Sequence, residues 1–115
     1  MTTSIQKRRI KKFLTALRSG KYKQTTDALS KEGGFCCLGV ACDVYRKDMG
    51  LTSPSISALK WNNRHDGKLP KFVANYYGFE STNPCLEKDN EATYCNDDLE
   101  YSFKKIARLF ERKYL

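Results

Sequence analysis

Three cysteines occupy seven consecutive positions of one apolar segment, residues 33–45 (GGFCCLGVACDVY). Cys36 and Cys37 are neighbours, and Cys42 follows after four intervening residues. Cysteines grouped in this way can hold a metal ion, form a disulfide, supply a nucleophile or pack as small apolar side chains. The choice among these four roles limits the chemistry that the protein can perform.

Metal binding and disulfide formation are both disfavoured by the pattern. Zinc ligands usually come as close pairs, and no Cys-x-x-Cys pair accompanies Cys37 and Cys42. The chain has five cysteines, an odd number, and its first residues lack the apolar segment of a signal peptide. We therefore expect reduced thiols in the cytosol, with no metal and no cofactor.

A nucleophilic thiol is the third interpretation. Glycines before Cys36 and a helix after it would place a thiol at a positive helix end, which lowers the thiol pKa. His65 is the single histidine and hence the candidate base for Cys36 or Cys37. Packing is the favoured interpretation for Cys42 and for one of the two neighbours, so enzymatic activity is left open.

The elements that would position these residues follow from apolar periodicity and from glycine and proline punctuation. The pattern predicts a single α+β domain with about four helices and a small sheet of two or three strands. Ser4 is the expected cap of the first helix, Pro70 belongs to the first turn of the third, and Ser102 caps the last. The predicted helices cover 4–18, 36–49, 69–77 and 102 onward, and the predicted strands cover 22–26, 56–62 and 84–87.

Basic residues outnumber acidic ones, with 21 lysines and arginines against 13 aspartates and glutamates, a net charge of +8. Such a charge attracts anions, so nucleotides, nucleic acids and acidic protein surfaces are all suitable partners. No apolar run approaches the roughly 20 residues that a membrane helix needs, and we expect no membrane partner.

Three segments resemble a widespread family of small phage-encoded proteins without a settled activity. They are ALRSGKYKQ at 16–24, FCCLGVACD at 35–43 and ND....SFKKIA at 96–107. The sequence departs from the pattern of this family at two places. Cys95 occupies a position where leucine is expected, and Leu99-Glu100 stands where glycine is common. The resemblance implies a phage origin and a role against host defence.

A nucleotide signal of the host is the first ligand class suggested by these observations. Arg18, Lys21 and Lys23 would supply charge, and Tyr22, Trp61 or Tyr94 would stack on a base. The predicted ligand-binding residues are Arg18, Lys21, Tyr22, Gln24, Cys36, Asn96 and Asp97, with Gln24, Asn96 and Asp97 reading base edges or ribose hydroxyls.

Ordinary roles as solvated charges and turn residues compete with this hypothesis. Nucleic-acid binding by the basic first and last helices is one alternative function. Inhibition of an acidic host protein is another, and its marker would be an exposed aromatic patch around Tyr76, Tyr77 and Phe79.

Overall fold

The computed structural model describes residues 2–31, 33–51 and 68–115. Within these ranges the chain forms five helices and two antiparallel two-stranded ladders, which confirms the α+β prediction. The helices are α1 (Ser4–Arg18), α2 (Cys37–Asp48), α3 (Lys71–Tyr77), α4 (Ala92–Asp97) and α5 (Phe103–Tyr114). The strands are β1 (Ser30–Lys31), β2 (Gly34–Phe35), β3 (Cys85–Glu87) and β4 (Asn90–Glu91).

Helix α1 has the predicted bounds, but its cap is Thr3 instead of Ser4. The Thr3 hydroxyl accepts a hydrogen bond from the Gln6 amide, and the Gln6 side chain accepts one from the Thr3 amide. This reciprocal pair satisfies two amides that would otherwise lack partners at the start of the helix. The apolar face of α1 is buried against α2, α3 and α5, and its buried members are Ile10, Phe13, Leu14 and Leu17.

Helix α2 is the predicted cysteine helix, with Cys36 as its amino-terminal cap and Met49 as its carboxyl-terminal cap. Every residue from Cys37 to Asp43 is buried, so this helix forms the centre of the domain. Gly39 is required here because a Cβ atom at this position would collide with the backbone carbonyl of Leu29. The segment that approaches Gly39 is therefore the loop before β1, which contains Leu29.

The predicted strand over 22–26 is wrong in extent. Only Gln24 forms a bridge, which is parallel to Phe35 and leaves the surrounding backbone irregular. Strands β1 and β2 form the hairpin that the two glycines at 33 and 34 indicated, with Ser30 opposite Phe35.

The polar segment before the last helix contains more structure than its composition indicated. β3 pairs with β4, and α4 follows directly, whereas the sequence analysis predicted one strand there and no helix. Six residues are too few to display a clear helical period, which explains the omission. Helix α5 begins at Phe103 with Ser102 as its cap, as predicted, and Leu99 lies outside it.

An aromatic cluster fills the core where α1, α3 and α5 meet. The ring centroids of Phe13 and Phe110 are 5.0 Å apart, and Tyr77 stacks on Phe79 at 5.2 Å. Tyr77 and Phe79 are buried and Tyr76 is half-buried, so these three residues do not form the exposed aromatic patch that would mark an inhibitor of an acidic protein.

Some predictions concern residues outside the described ranges. They are the strand over 56–62, the turn at Asp66-Gly67, and the proposed roles of Trp61 and His65. None of the helices in the described ranges has the length and apolar character that crossing a bilayer requires.

Candidate functional site

Backbone amides in the first turn of α2 donate hydrogen bonds to two side chains of the protein itself. The Cys36 sulfur accepts from the Gly39 amide at 3.4 Å, and the Asn96 Oδ1 accepts from the Cys37 amide at 3.2 Å. The Cys36 amide donates to the carbonyl of Leu29. Exposed amides at a helix start attract phosphate, but these three already have acceptors.

Asn96 connects this turn to the loop after α1. Its Oδ1 also accepts from the Gln24 side-chain amide at 2.9 Å, and its own amide group donates to the Thr25 carbonyl and to Asp97. Only 1% of Asn96 is exposed. We call Gln24, Thr25, Cys37 and Asn96 the polar junction.

The junction joins residues from three separate segments of the chain, 16–24, 35–43 and 96–107. Gln24 lies in the first segment, Cys37 in the second and Asn96 in the third. The hydrogen bonds among them give these residues a structural role. The role of Gln24 and Asn96 in ligand binding stays a prediction.

Asp97 lies beside the polar junction, where burial disfavours its negative charge. Burial raises the pKa of Asp97, whereas hydrogen bonds with the Asn96 side chain and the Asp27 backbone oppose that rise, and the charges of Asp27 and Asp98 add to it. A second carboxylate, that of Glu100, lines a cavity of about 260 Å³ together with Gln24, Thr25, Thr26 and Asn96. No lysine or arginine is among the residues that line this cavity, so it is poorly suited to a phosphate group.

The two candidate thiols lie in the core. Cys36 is 2% exposed and Cys37 is fully buried. Burial raises the pKa of Cys36 to about 12 and that of Cys37 well above its ordinary value. Both thiols therefore stay protonated near neutral pH, which favours packing over nucleophilic attack. The candidate base His65 is outside the described ranges.

A larger cavity of about 370 Å³ lies between the carboxyl-terminal halves of α1 and α2. Lys21 and Tyr22 from the predicted set line it. Sequence reasoning missed Lys12 and Lys47, which also line it, because their approach requires the packing of α1 on α2. We call this cavity the lysine groove; its remaining lining residues are Thr15, Ala16, Ser19, Val44 and Asp48.

Hydrogen bonds fix the side chains at one wall of the lysine groove. The Tyr22 hydroxyl donates to Asp43 at 2.5 Å, and the Lys47 ammonium lies 3.2 Å from the Tyr22 oxygen. Burial acts to raise the pKa of Asp43, but the hydrogen bonds from Tyr22 and Arg46 outweigh it and hold that pKa below its usual value. Burial and the bond to Asp43 raise the pKa of Tyr22, so the phenol stays neutral.

The lysines of the groove differ in how they are paired. Lys12 forms an ion pair with Asp48 at 2.7 Å, and Lys47 lies 3.4 Å from Asp43. Lys21 has no carboxylate within ion-pair distance in the described part of the chain. Arg18 points elsewhere and pairs with Glu111 of α5 at 2.9 Å. Lys21 is therefore the cation of this groove that is most available to a ligand.

Metal ligation has no visible support in the ranges that the structure describes. No three side chains of the ligand types His, Cys, Asp and Glu come together there in a group that could hold an ion.

Comparison with known proteins gives a family without an assigned activity. No curated protein and no solved structure matches the chain. A family model described as a domain of unknown function (DUF8296) matches residues 5–114, which is nearly the whole chain. The protein therefore belongs to the DUF8296 family.

Proposed function

We propose that the protein binds a phosphate-bearing nucleotide in the lysine groove and sequesters it. The observation that carries this proposal is the meeting of Lys12, Lys21 and Lys47 around one cavity of about 370 Å³. Small-molecule sites usually occupy roughly 300–1,000 Å³, so the groove has room for a nucleotide. The resemblance to phage proteins makes a nucleotide signal of host immunity the first class to test.

The residues of the groove suit the two ends of such a ligand. Lys21 is exposed and unpaired within the described ranges, so it can meet a phosphate without first breaking an ion pair. Tyr22 offers a half-buried ring whose hydroxyl is held by Asp43, and a fixed ring loses little freedom when a base packs on it. Thr15 and Ser19 add hydroxyls to the lining.

The state of the thiols argues against cleavage of the nucleotide by a thiolate. Because Cys36 and Cys37 are buried and their pKa values are raised, neither offers a thiolate to a nucleotide in the groove. The proposal therefore expects the bound nucleotide to be recovered intact after the protein is denatured.

Isothermal calorimetry with a nucleotide panel tests this proposal. The panel contains cyclic dinucleotides, ADP-ribose and ATP, and at least one member is expected to bind. Lys21→Glu should weaken that binding about tenfold or more, since it replaces an available cation by an anion. The matched control is Lys23→Glu, an exposed lysine two residues away that does not line the groove.

Two results would contradict the proposal. One is the absence of a binding heat for every member of the panel. The other is equal loss of binding in the Lys21 and Lys23 variants, which would mean that net charge alone governs the interaction.

A further inference from the structure

The positive charge of the protein is concentrated on two helices. α1 contains six lysines and arginines and no acidic residue, while α5 contains five and one glutamate. These two helices thus carry a formal charge of +10, and the whole chain carries +8, so the remainder is at −2. α1 and α5 pack directly against each other.

An ion pair shows which faces of the two helices adjoin. Arg18 of α1 pairs with Glu111 of α5 across the contact. Residues three, four or seven positions apart share a helix face, so Lys7 and Lys11 lie on the same side of α1 as Arg18. By the same spacing, Lys104 and Arg108 share a face with Glu111.

We call these two rows, which meet at the ion pair between Arg18 and Glu111, the seam. Its six residues are exposed, and five of them are basic. They are Lys7, Lys11, Arg18, Lys104, Arg108 and Glu111.

The cations of the seam are less neutralised than those of the lysine groove. Within the ranges that the structure describes, Lys7, Lys11, Lys104 and Arg108 have no carboxylate at ion-pair distance. Their mutual repulsion is offset only by solvent and salt, so an external polyanion would gain several contacts at once.

We propose that the seam binds the phosphate backbone of a nucleic-acid duplex without reading its sequence. α1 has 15 residues and is therefore about 22 Å long. A duplex carries one negative charge per roughly 1.7 Å of its axis, so this length faces many phosphates. The exposed residues of α1 and α5 include no aromatic side chain, and the stacking surface typical of single-strand binders is lacking on these two helices.

Salt-dependent binding to short DNA duplexes tests the seam. Fluorescence anisotropy with two 20-base-pair duplexes of unrelated sequence should give equal affinities. With four unpaired cations engaged, the logarithm of the association constant should fall against the logarithm of salt concentration with a slope of about −3 to −4. The double variant Lys11→Glu/Arg108→Glu should lose about tenfold or more in affinity at low salt and reduce that slope by about two.

The control has the same change in net charge at other sites. Lys71→Glu/Lys88→Glu alters two exposed lysines outside α1 and α5 and should retain most of the affinity and the full slope. Circular dichroism confirms that both double variants are folded. Equal losses in the two double variants, or equally tight binding of polyglutamate, would overturn the proposal.

The seam and the lysine groove make separate predictions because they share no residue. Lys21→Glu should leave most duplex binding in place, and the seam double variant should leave nucleotide binding in the groove nearly unchanged. Failure of one proposal is therefore distinguishable from failure of the other.

Discussion

Polar side chains at the two ends of α2 differ in whether they are hydrogen-bonded within the protein. At the amino-terminal end, Asn96 makes four hydrogen bonds to groups of the protein, and Cys36 accepts from Gly39. At the carboxyl-terminal end, Lys47 borders a cavity of about 370 Å³ together with the unpaired Lys21. The amino-terminal end is closed by internal partners, whereas the other end keeps space and charge for a ligand.

The contrast between the two ends of α2 shows that residue types suited to ligands do not by themselves identify a site. Asparagine and glutamine would suit a nucleotide base as well as they suit one another. At the polar junction, burial forces Asn96 and Gln24 to satisfy each other and the adjacent backbone. The two ends of α2 differ in whether their polar side chains are exposed and unpaired, and hence able to meet a ligand, and not in residue type.

The largest effect is expected at Gly39, which allows the closed end to form. Gly39→Ala should destabilise the fold by about 3 kcal/mol or more, because its Cβ would collide with the Leu29 carbonyl and force the backbone apart. Chemical denaturation measures the loss of unfolding free energy.

Gly20→Ala is the control, since Gly20 has a positive φ of 77° but open space around its Cα. It should cost only about 1 kcal/mol, from the left-handed backbone alone. Similar losses in both variants would mean that the Leu29 contact is not the reason for glycine in α2.

A smaller effect is expected at Asn96. Asn96→Ala removes four hydrogen bonds and leaves the buried Cys37 amide and the Gln24 side chain without this acceptor, so we expect a loss of about 2–4 kcal/mol. Thermal and urea unfolding would measure it. Nucleotide affinity, measured where the variant is folded, should stay within about twofold of the original if the junction is purely structural.

Asn83→Ala provides the comparison. Asn83 is also buried but makes only two reciprocal bonds with Thr93, so its loss should be near 1–2 kcal/mol. If Asn96→Ala abolished nucleotide binding while the protein remained folded, the distinction between the two ends of α2 would fail.

The smallest effect is a gain in stability at Glu100, which lines the cavity beside the junction. Glu100 has a φ of 54°, a left-handed conformation that favours glycine. Glu100→Gly should stabilise the fold by about 0.5–1 kcal/mol, as a rise in the urea midpoint. Unchanged or lowered stability would show that the backbone strain is balanced by contacts of the glutamate.

The sequence predicted the long elements well because their signals are local. The bounds of α1 follow from apolar spacing, and α5 begins directly after its serine cap. The capping role of Thr3 was assigned to Ser4, because threonine and serine suit a cap equally and only the backbone turn decides between them. The sequence did not predict α4, because its six residues form fewer than two helical turns.

The candidate site was predictable only in part. The sequence analysis assigned Gln24 and Asn96 to the same predicted site, and the two side chains are hydrogen-bonded in the structure. Which polar groups hydrogen-bond or form ion pairs depends on the folded structure. The sequence therefore could not show that the Asn96 side chain has all its hydrogen bonds within the protein, or that Lys21 has no carboxylate at ion-pair distance in the described ranges. Lys12 and Lys47 reach the groove through helix packing, which no local pattern reports.

Mapping a bound nucleotide by amide chemical shifts tests the central claim most directly. Two-dimensional NMR during a titration with ADP-ribose, or with whichever panel member binds best, should shift the amides of Thr15, Ser19, Lys21 and Lys47 at the lysine groove. The amides of Gln24, Cys37 and Asn96 at the polar junction should remain in place. Shifts concentrated at the junction, with the groove unaffected, would contradict the account.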